Sequence, residues 1–163
     1  MTPSDALATS ITPALEMLGE KFMGPRAEVM LLTIAQQESG LRAIQQASGG
    51  PGRGLWQFEP PACGDVLTRP TSRFHAALAC ENCGGVDPSQ DAVYAALLTN
   101  DVLAAAFARL KLWNDPAQLP LVGDPVGAWD FYVQTWHPGK PRRDSWPIFY
   151  KISTDTVQGS IHG

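Results

Sequence analysis

Apolar positions recur at helical spacing along most of the chain, and runs of glycine and proline cut them into segments. In residues 3–22, Ala6, Leu7, Ile11, Leu15 and Leu18 fall near one helical face, and "MGP" ends the run. A second helix is predicted to start at Pro25, a favourable first helical position, and to run to Ser39, with Gly40 as its stop. Short helices are predicted within 60–68 and 71–81. Residues 89–113, rich in Ala and Leu, read as one long helix with Leu103, Phe107 and Leu110 on its apolar face. In 124–136, Trp129, Tyr132, Val133 and Trp136 stand at i, i+3, i+4 and i+7. A terminal helix is predicted over 144–156. The breaks are "SGGPGRG" at 48–54, "CGGVDPSQ" at 83–90, "NDPAQLP" at 114–120 and "HPGKPRRD" at 137–144. No long strand, internal repeat or linker is visible. The expectation is a single, mostly α domain over 1–163, with room for one short β-hairpin around 44–58.

Glu38 stands out against this pattern. Met30, Leu31, Ile34 and Ala35 form an apolar stripe, and Glu38 continues it at the helix's C-terminal end. There the helix dipole opposes a negative charge, and apolar surroundings disfavour ionisation. A carboxyl group that stays protonated near neutral pH can act as a general acid. The alternative is a glutamate at a frayed helix end, turned to water. The glycine-rich loop that follows lets backbone approach a ligand closely. It leads into "LWQF", two aromatics around an amide that both donates and accepts. Flat apolar faces beside such groups suit a sugar ring. Equally, Trp56 and Phe58 can be core residues and Gln57 exposed.

Composition narrows the class. With 163 residues, 44% hydrophobic and 17% charged, the chain suits one folded core rather than disorder. Net charge is −4, and the longest basic block is "KPRR" at 140–143, which argues against a nucleic-acid binder. No apolar run is long enough for a membrane span. The N-terminal "MTPSDALATSITPALEMLGEKF" reads as a helix, not a secretory signal. Three cysteines do not suggest a disulfide framework, although Cys63, His75, Cys80 and Cys83 leave a Cys3His zinc site conceivable at a non-standard spacing. His75 and His137 form no defensible Ser-His-Asp order. Lys140, Arg142 and Arg143 read as a solvated loop, with a role in approaching an anionic cell wall as the alternative.

A helix ending in "ESG", then a Gly-rich turn into Gly54-Leu55-Trp56-Gln57, then "AWDFYVQTW" with Tyr132, then "WHPGKP", resembles the lysozyme-like superfamily. Within it, the pattern is similar to soluble lytic transglycosylases and phage muramidases of endolysin type, over roughly residues 25–140. The match is imperfect: no asparagine follows Tyr132, and Trp56 occupies the family's usual methionine position. The resemblance implies a lysozyme-like fold and cleavage of the β-1,4 bond between N-acetylmuramic acid and N-acetylglucosamine. It implies Glu38 as catalytic acid/base, with Ser39 in the cleft and Gln57 and Tyr132 contacting sugar or orienting the acid. Trp56 and Phe58 would be substrate-binding aromatics, or in Trp56's case core. Glu59 and Asp65, the next acids, fall where the transglycosylases place no catalytic partner. One glutamate would therefore serve twice, with the substrate's N-acetyl group assisting, to give a 1,6-anhydromuramoyl product. No metal or organic cofactor is implied.

The expected partner is peptidoglycan glycan strands, with no nucleic acid, no membrane insertion, and action as a monomer. The expected setting is a phage: an endolysin held in the host cytoplasm until holin-dependent release to the periplasm and wall, or a virion-associated wall hydrolase. Three rivals are open. They are a hydrolase of the same fold assisted by Glu59 or Asp65, a non-catalytic glycan-binding tail or baseplate protein, and a zinc-stabilised interaction module.

Overall fold

Proline and its neighbours set where the helices begin. The structure is a computed structural model, and it describes residues 1–42, 45 and 47–163. The first helical rod comprises α1 (Pro3–Ala6) and α2 (Thr12–Leu18), joined by a π-turn over Leu7–Ile11. Thr2 and Asp5 form a reciprocal capping box at its start. Pro13 has no N–H to give to the preceding turn, and the π-turn lies just ahead of it. There the Thr12 amide reaches back five residues to the Leu7 carbonyl.

Helix α3 (Pro25–Ser39) has the bounds its sequence predicts. Pro25 opens it, and Gly40, at φ 62°, closes it with an N–H to the Gln36 carbonyl at 2.9 Å. The predicted apolar stripe proves too narrow: everything from Val29 to Gln37 is buried, so α3 runs through the middle of the molecule. Its buried amides are satisfied. Gln36 Nε2 donates to Ser153 Oγ at 2.8 Å, and Gln37 Nε2 donates to the Arg142 carbonyl at 2.8 Å.

The remaining helices are α4 (Pro60–Thr68), α5 (Arg73–Asn82), α6 (Gln90–Ala96), α7 (Asp101–Trp113), α8 (Pro125–Trp136) and α9 (Trp146–His162), the last packed along α3. The segment read as one helix over 89–113 is two. Asn100 breaks it: its side chain accepts from the Leu103 amide at 3.0 Å, capping α7, and donates to the Cys83 carbonyl at 3.0 Å. Terminal helix α9 is longer than predicted.

The hairpin expected around 44–58 is also corrected. Its described part makes isolated bridges, Gln45 with Arg53 and Arg53 with Phe58, rather than strands. Residues 44 and 46 of that prediction lie outside the described residues. Among the described residues, all nine α-helices contribute to one hydrophobic cluster, as a single domain requires. Among the described residues, no helix is long and apolar enough to cross a membrane.

Candidate active site

The last turn of α3 delivers Glu38 from the core to the wall of a cleft of about 630 Å³. The same cleft is lined by Gln57, Phe58 and Glu59 from the loop before α4, and by Asp65 of α4. Lys111 of α7 and Trp136 and His137 at the end of α8 complete this part of the wall. Glu38 is half-buried. The Tyr132 hydroxyl donates to its Oε1 at 2.6 Å. Burial pushes the Glu38 carboxyl pKa above its usual range, and Glu59 nearby adds to the rise. The Tyr132 bond, and then the charges of Arg142 and Lys111, pull the other way without cancelling the shift.

Tyr132 is locked. Its ring stacks on Trp146 with centroids 4.9 Å apart at 19°, and tilts against Trp129 at 5.5 Å. Trp146 is itself held by its indole N–H on the Pro125 carbonyl at 3.0 Å. Burial, then the bond to Glu38, pushes the Tyr132 phenol upward, so it remains a proton-bearing donor to the carboxylate.

The loop carrying Gln57 is closed by a reciprocal pair: Arg53 N–H to the Phe58 carbonyl at 3.0 Å and Phe58 N–H to the Arg53 carbonyl at 2.9 Å. Gly54 is required there. It sits at φ 73°, and a Cβ would lie 2.6 Å from the Leu97 carbonyl oxygen. Gln57 adopts φ 51°, uncommon for a non-glycine residue, and its Nε2 donates to the Gly54 carbonyl at 2.9 Å.

Phe58 and Trp136 meet edge-to-face at 5.6 Å and 89° and form the aromatic side of the cleft. The Lys111 ammonium stands 5.2 Å from the Trp136 ring centroid and 6.0 Å from that of Phe58. Asp65 is paired with Arg69 at 2.8 Å. Glu59 precedes α4 at its cap position, yet its carboxylate caps nothing.

Two expected site residues stand elsewhere. Trp56 is fully buried, and its indole N–H donates to the Leu31 carbonyl at 2.9 Å. It fills the core behind the loop and has no face to offer a sugar; Trp136 has that place. The Ser39 hydroxyl donates to the Ala35 carbonyl at 3.0 Å and accepts from the Leu41 amide at 3.2 Å, so it secures the helix end outside the cleft wall. Arg142 is the exposed loop residue its sequence suggests, and it also reaches the site. Its guanidinium donates to the Gln37 carbonyl, and its charge bears on Glu38.

Sequence reasoning passed over Lys111, although a signal was present. It stands four residues after Phe107, on the apolar side of its helix, where a lysine is unusual. Cys63 and Cys80 are buried thiols, pushed up to about 12 and about 11 by burial. Among the described residues, Cys63, His75, Cys80 and Cys83 included, no group of three or more His, Cys, Asp or Glu is placed to hold a metal ion. His75 packs edge-on against Phe22 at 4.8 Å. No protein-family model, no curated protein and no solved structure matches the chain.

Proposed function

We propose that this chain is a peptidoglycan-cleaving enzyme of lysozyme-like fold, acting as a lytic transglycosylase on the β-1,4 bond between N-acetylmuramic acid and N-acetylglucosamine. The observation that carries the reading is the Glu38–Tyr132 pair: a half-buried carboxyl with a raised pKa, held by a locked phenol at 2.6 Å in the wall of an elongated-substrate-sized cleft. This is the pairing that the resemblance of "ESG", "GLWQ" and "AWDFYVQTW" leads one to expect.

In this mechanism Glu38, protonated, gives its proton to the glycosidic oxygen as the bond to C1 of the muramoyl sugar breaks. The substrate's N-acetyl carbonyl stabilises the positive charge developing at C1. The Glu38 carboxylate, held by the Tyr132 hydroxyl, then removes the proton from the C6 hydroxyl, whose oxygen bonds to C1. Glu38 ends protonated, ready for the next bond, and no water is consumed. Trp136 offers an apolar face to the sugars, with Phe58, only 2% exposed, packed edge-to-face behind it, and Gln57 offers its amide. The setting that fits best is a phage endolysin or a virion-associated wall hydrolase. A turbidity assay on purified sacculi tests the reading: wild type clears them, and Glu38→Gln, folded to the same extent, does not. Clearing by both proteins would exclude Glu38 as the acid.

One observation favours a second reading. Glu59 and Asp65 line the same cleft, and Glu59 caps no helix. A carboxylate there can activate water, which would make the enzyme a hydrolase. Products with reducing ends would select it.

A further inference from the structure

A second cavity, of about 380 Å³, opens at the other end of α3 and is lined by three cations, Lys21, Arg26 and Arg109, with no acid among its lining residues. In a chain of net charge −4 this is a local reversal of sign. Arg109 is the anomaly within it. It is only 4% exposed, yet it makes no ion pair among the described residues. Its Nε donates to the Phe22 carbonyl at 2.9 Å, and no described residue accepts from its two terminal amino groups. Burial pushes its pKa down to about 10, which leaves it charged at neutral pH. A buried cation without a counter-charge is costly, and the terminal amino groups of Arg109 are not sealed in: among the described residues the buried side-chain polar atom without a partner is Ser10 Oγ, and Arg109 lines the cavity.

The lining residues supply no negative charge; the ring faces of Phe22 and Trp113 relieve the cations only in part. The Lys21 ammonium lies 5.1 Å from the Phe22 ring centroid, and the Arg109 guanidinium carbon lies 5.6 Å from the same ring. Both also share Trp113, at 5.5 and 5.4 Å. Helix α3 points its N-terminus here. Gly24 precedes it, no side chain caps it, and Pro25 has no N–H. Glu28, the acid in its first turn, pairs with none of the three cations. The rest of the wall is apolar or neutral: Met23, Ala27, Leu119 and Gln118.

We propose that this cavity binds a phosphate ester, its phosphoryl oxygens taken by Arg109, Lys21 and Arg26 and its organic part lying along Met23 and Leu119. Several convergent cations suit a multiply charged tetrahedral anion, and guanidinium groups match phosphate oxygens in pairs. The cavity has room beyond a bare phosphate. Pro25 and Glu38 are separated along α3 by about 20 Å at 1.5 Å rise per residue, so the site is distinct from the cleft and would hold the enzyme on a phosphate-bearing surface while the cleft stays open. The phosphate ester could be carried by a lipid headgroup or by a soluble or polymer-borne group.

The test is an amide NMR titration of the full chain with glycerol 3-phosphate against sodium chloride at matched ionic strength. The expected result is saturable shifts at Gly24, Ala27 and the Arg109 Nε–H, with the amides of Gln57 and Glu59 unmoved. The exposed pair Lys21→Met with Arg26→Met should weaken binding at least tenfold while leaving the spectrum folded and sacculus clearing by the cleft intact. Arg109→Met should abolish binding; if that variant unfolds, the surface pair still decides. Co-sedimentation with phosphatidylglycerol vesicles but not phosphatidylcholine vesicles would assign the ester to a lipid. Glycerol 3-phosphate binding without vesicle binding would assign it to a soluble or polymer-borne group. Shifts that do not saturate, that chloride reproduces, or that survive in the Lys21/Arg26 variant would overturn the proposal.

Discussion

The Tyr132 hydroxyl donates to Glu38 Oε1 at 2.6 Å across 94 residues of sequence. The bond favours the charged form of the carboxyl, whereas burial disfavours it more strongly. Removing the hydroxyl with Tyr132→Phe therefore raises the Glu38 pKa further, and the ring stack on Trp146 is kept. If Glu38 must be protonated to act, the alkaline fall in activity moves to higher pH in this variant, and kcat drops by on the order of tenfold or more as the carboxylate loses its orientation. A pH–rate profile whose alkaline limb stays in place would contradict the assignment.

Lys111 acts on the same group more weakly, after Tyr132 and Arg142. Its positive charge lowers the Glu38 pKa, so Lys111→Met raises it. The alkaline limb should shift in the same direction as in Tyr132→Phe, but less. A shift to lower pH would show that Lys111 reaches Glu38 by another route.

The raised Glu38 pKa has a consequence for stability. A carboxyl group whose folded pKa lies above its unfolded value of about 4.5 favours folding only while protonated. That contribution is complete below the unfolded pKa and is lost as pH rises through the folded one. Glu38→Gln, neutral at every pH, should then be the more stable protein at pH 8, by roughly 2–4 °C in Tm for each kcal/mol relieved. The advantage should shrink toward pH 4. Scanning calorimetry of both proteins at the two pH values checks this, and a variant less stable at pH 8 would contradict it.

Two aromatic substitutions should separate core from cleft. Trp56→Ala removes a fully buried indole and should cost about 3–5 kcal/mol of stability. Trp136→Ala, on the cleft wall, should chiefly raise KM for glycan. Urea denaturation beside kinetics reads both. The same substitution type at two glycines tests the loop: Gly40→Ala, at φ 62° with open space around it, should cost about 1 kcal/mol. Gly54→Ala should cost more, because the Leu97 carbonyl stands where its Cβ must go.

Much of this architecture is legible in the sequence because proline and glycine mark the ends of helices. Pro25 and Gly40 bound α3, and Pro125 bounds α8 after Asp124 caps it. The break between α6 and α7 was there to be read in "TND", since Asn100 caps and Asp101 follows, but the Ala- and Leu-rich flanks mask it. The placing of Trp56 inside and Trp136 outside was not legible. Both are tryptophans beside polar residues, and only the path of the Arg53–Phe58 loop over α3 decides between them. Likewise, local sequence could place Glu38 at a helix end but not bring Tyr132 to it. That expectation came from the resemblance, and the geometry has the two in contact. The buried charge of Arg109 left no trace in the pattern, because α7 is enclosed on nearly all sides and its face carries no polar stripe.

The most direct test of the catalytic reading is mass spectrometry of muropeptides released from purified peptidoglycan by wild type and by Glu38→Gln. The reading predicts wild-type products with anhydro ends, one water lighter than their hydrolytic counterparts and inert to borohydride, and no products from the variant. Products with ordinary reducing ends would contradict the transglycosylase mechanism and turn attention to Glu59 and Asp65. No products from either protein would contradict catalysis altogether.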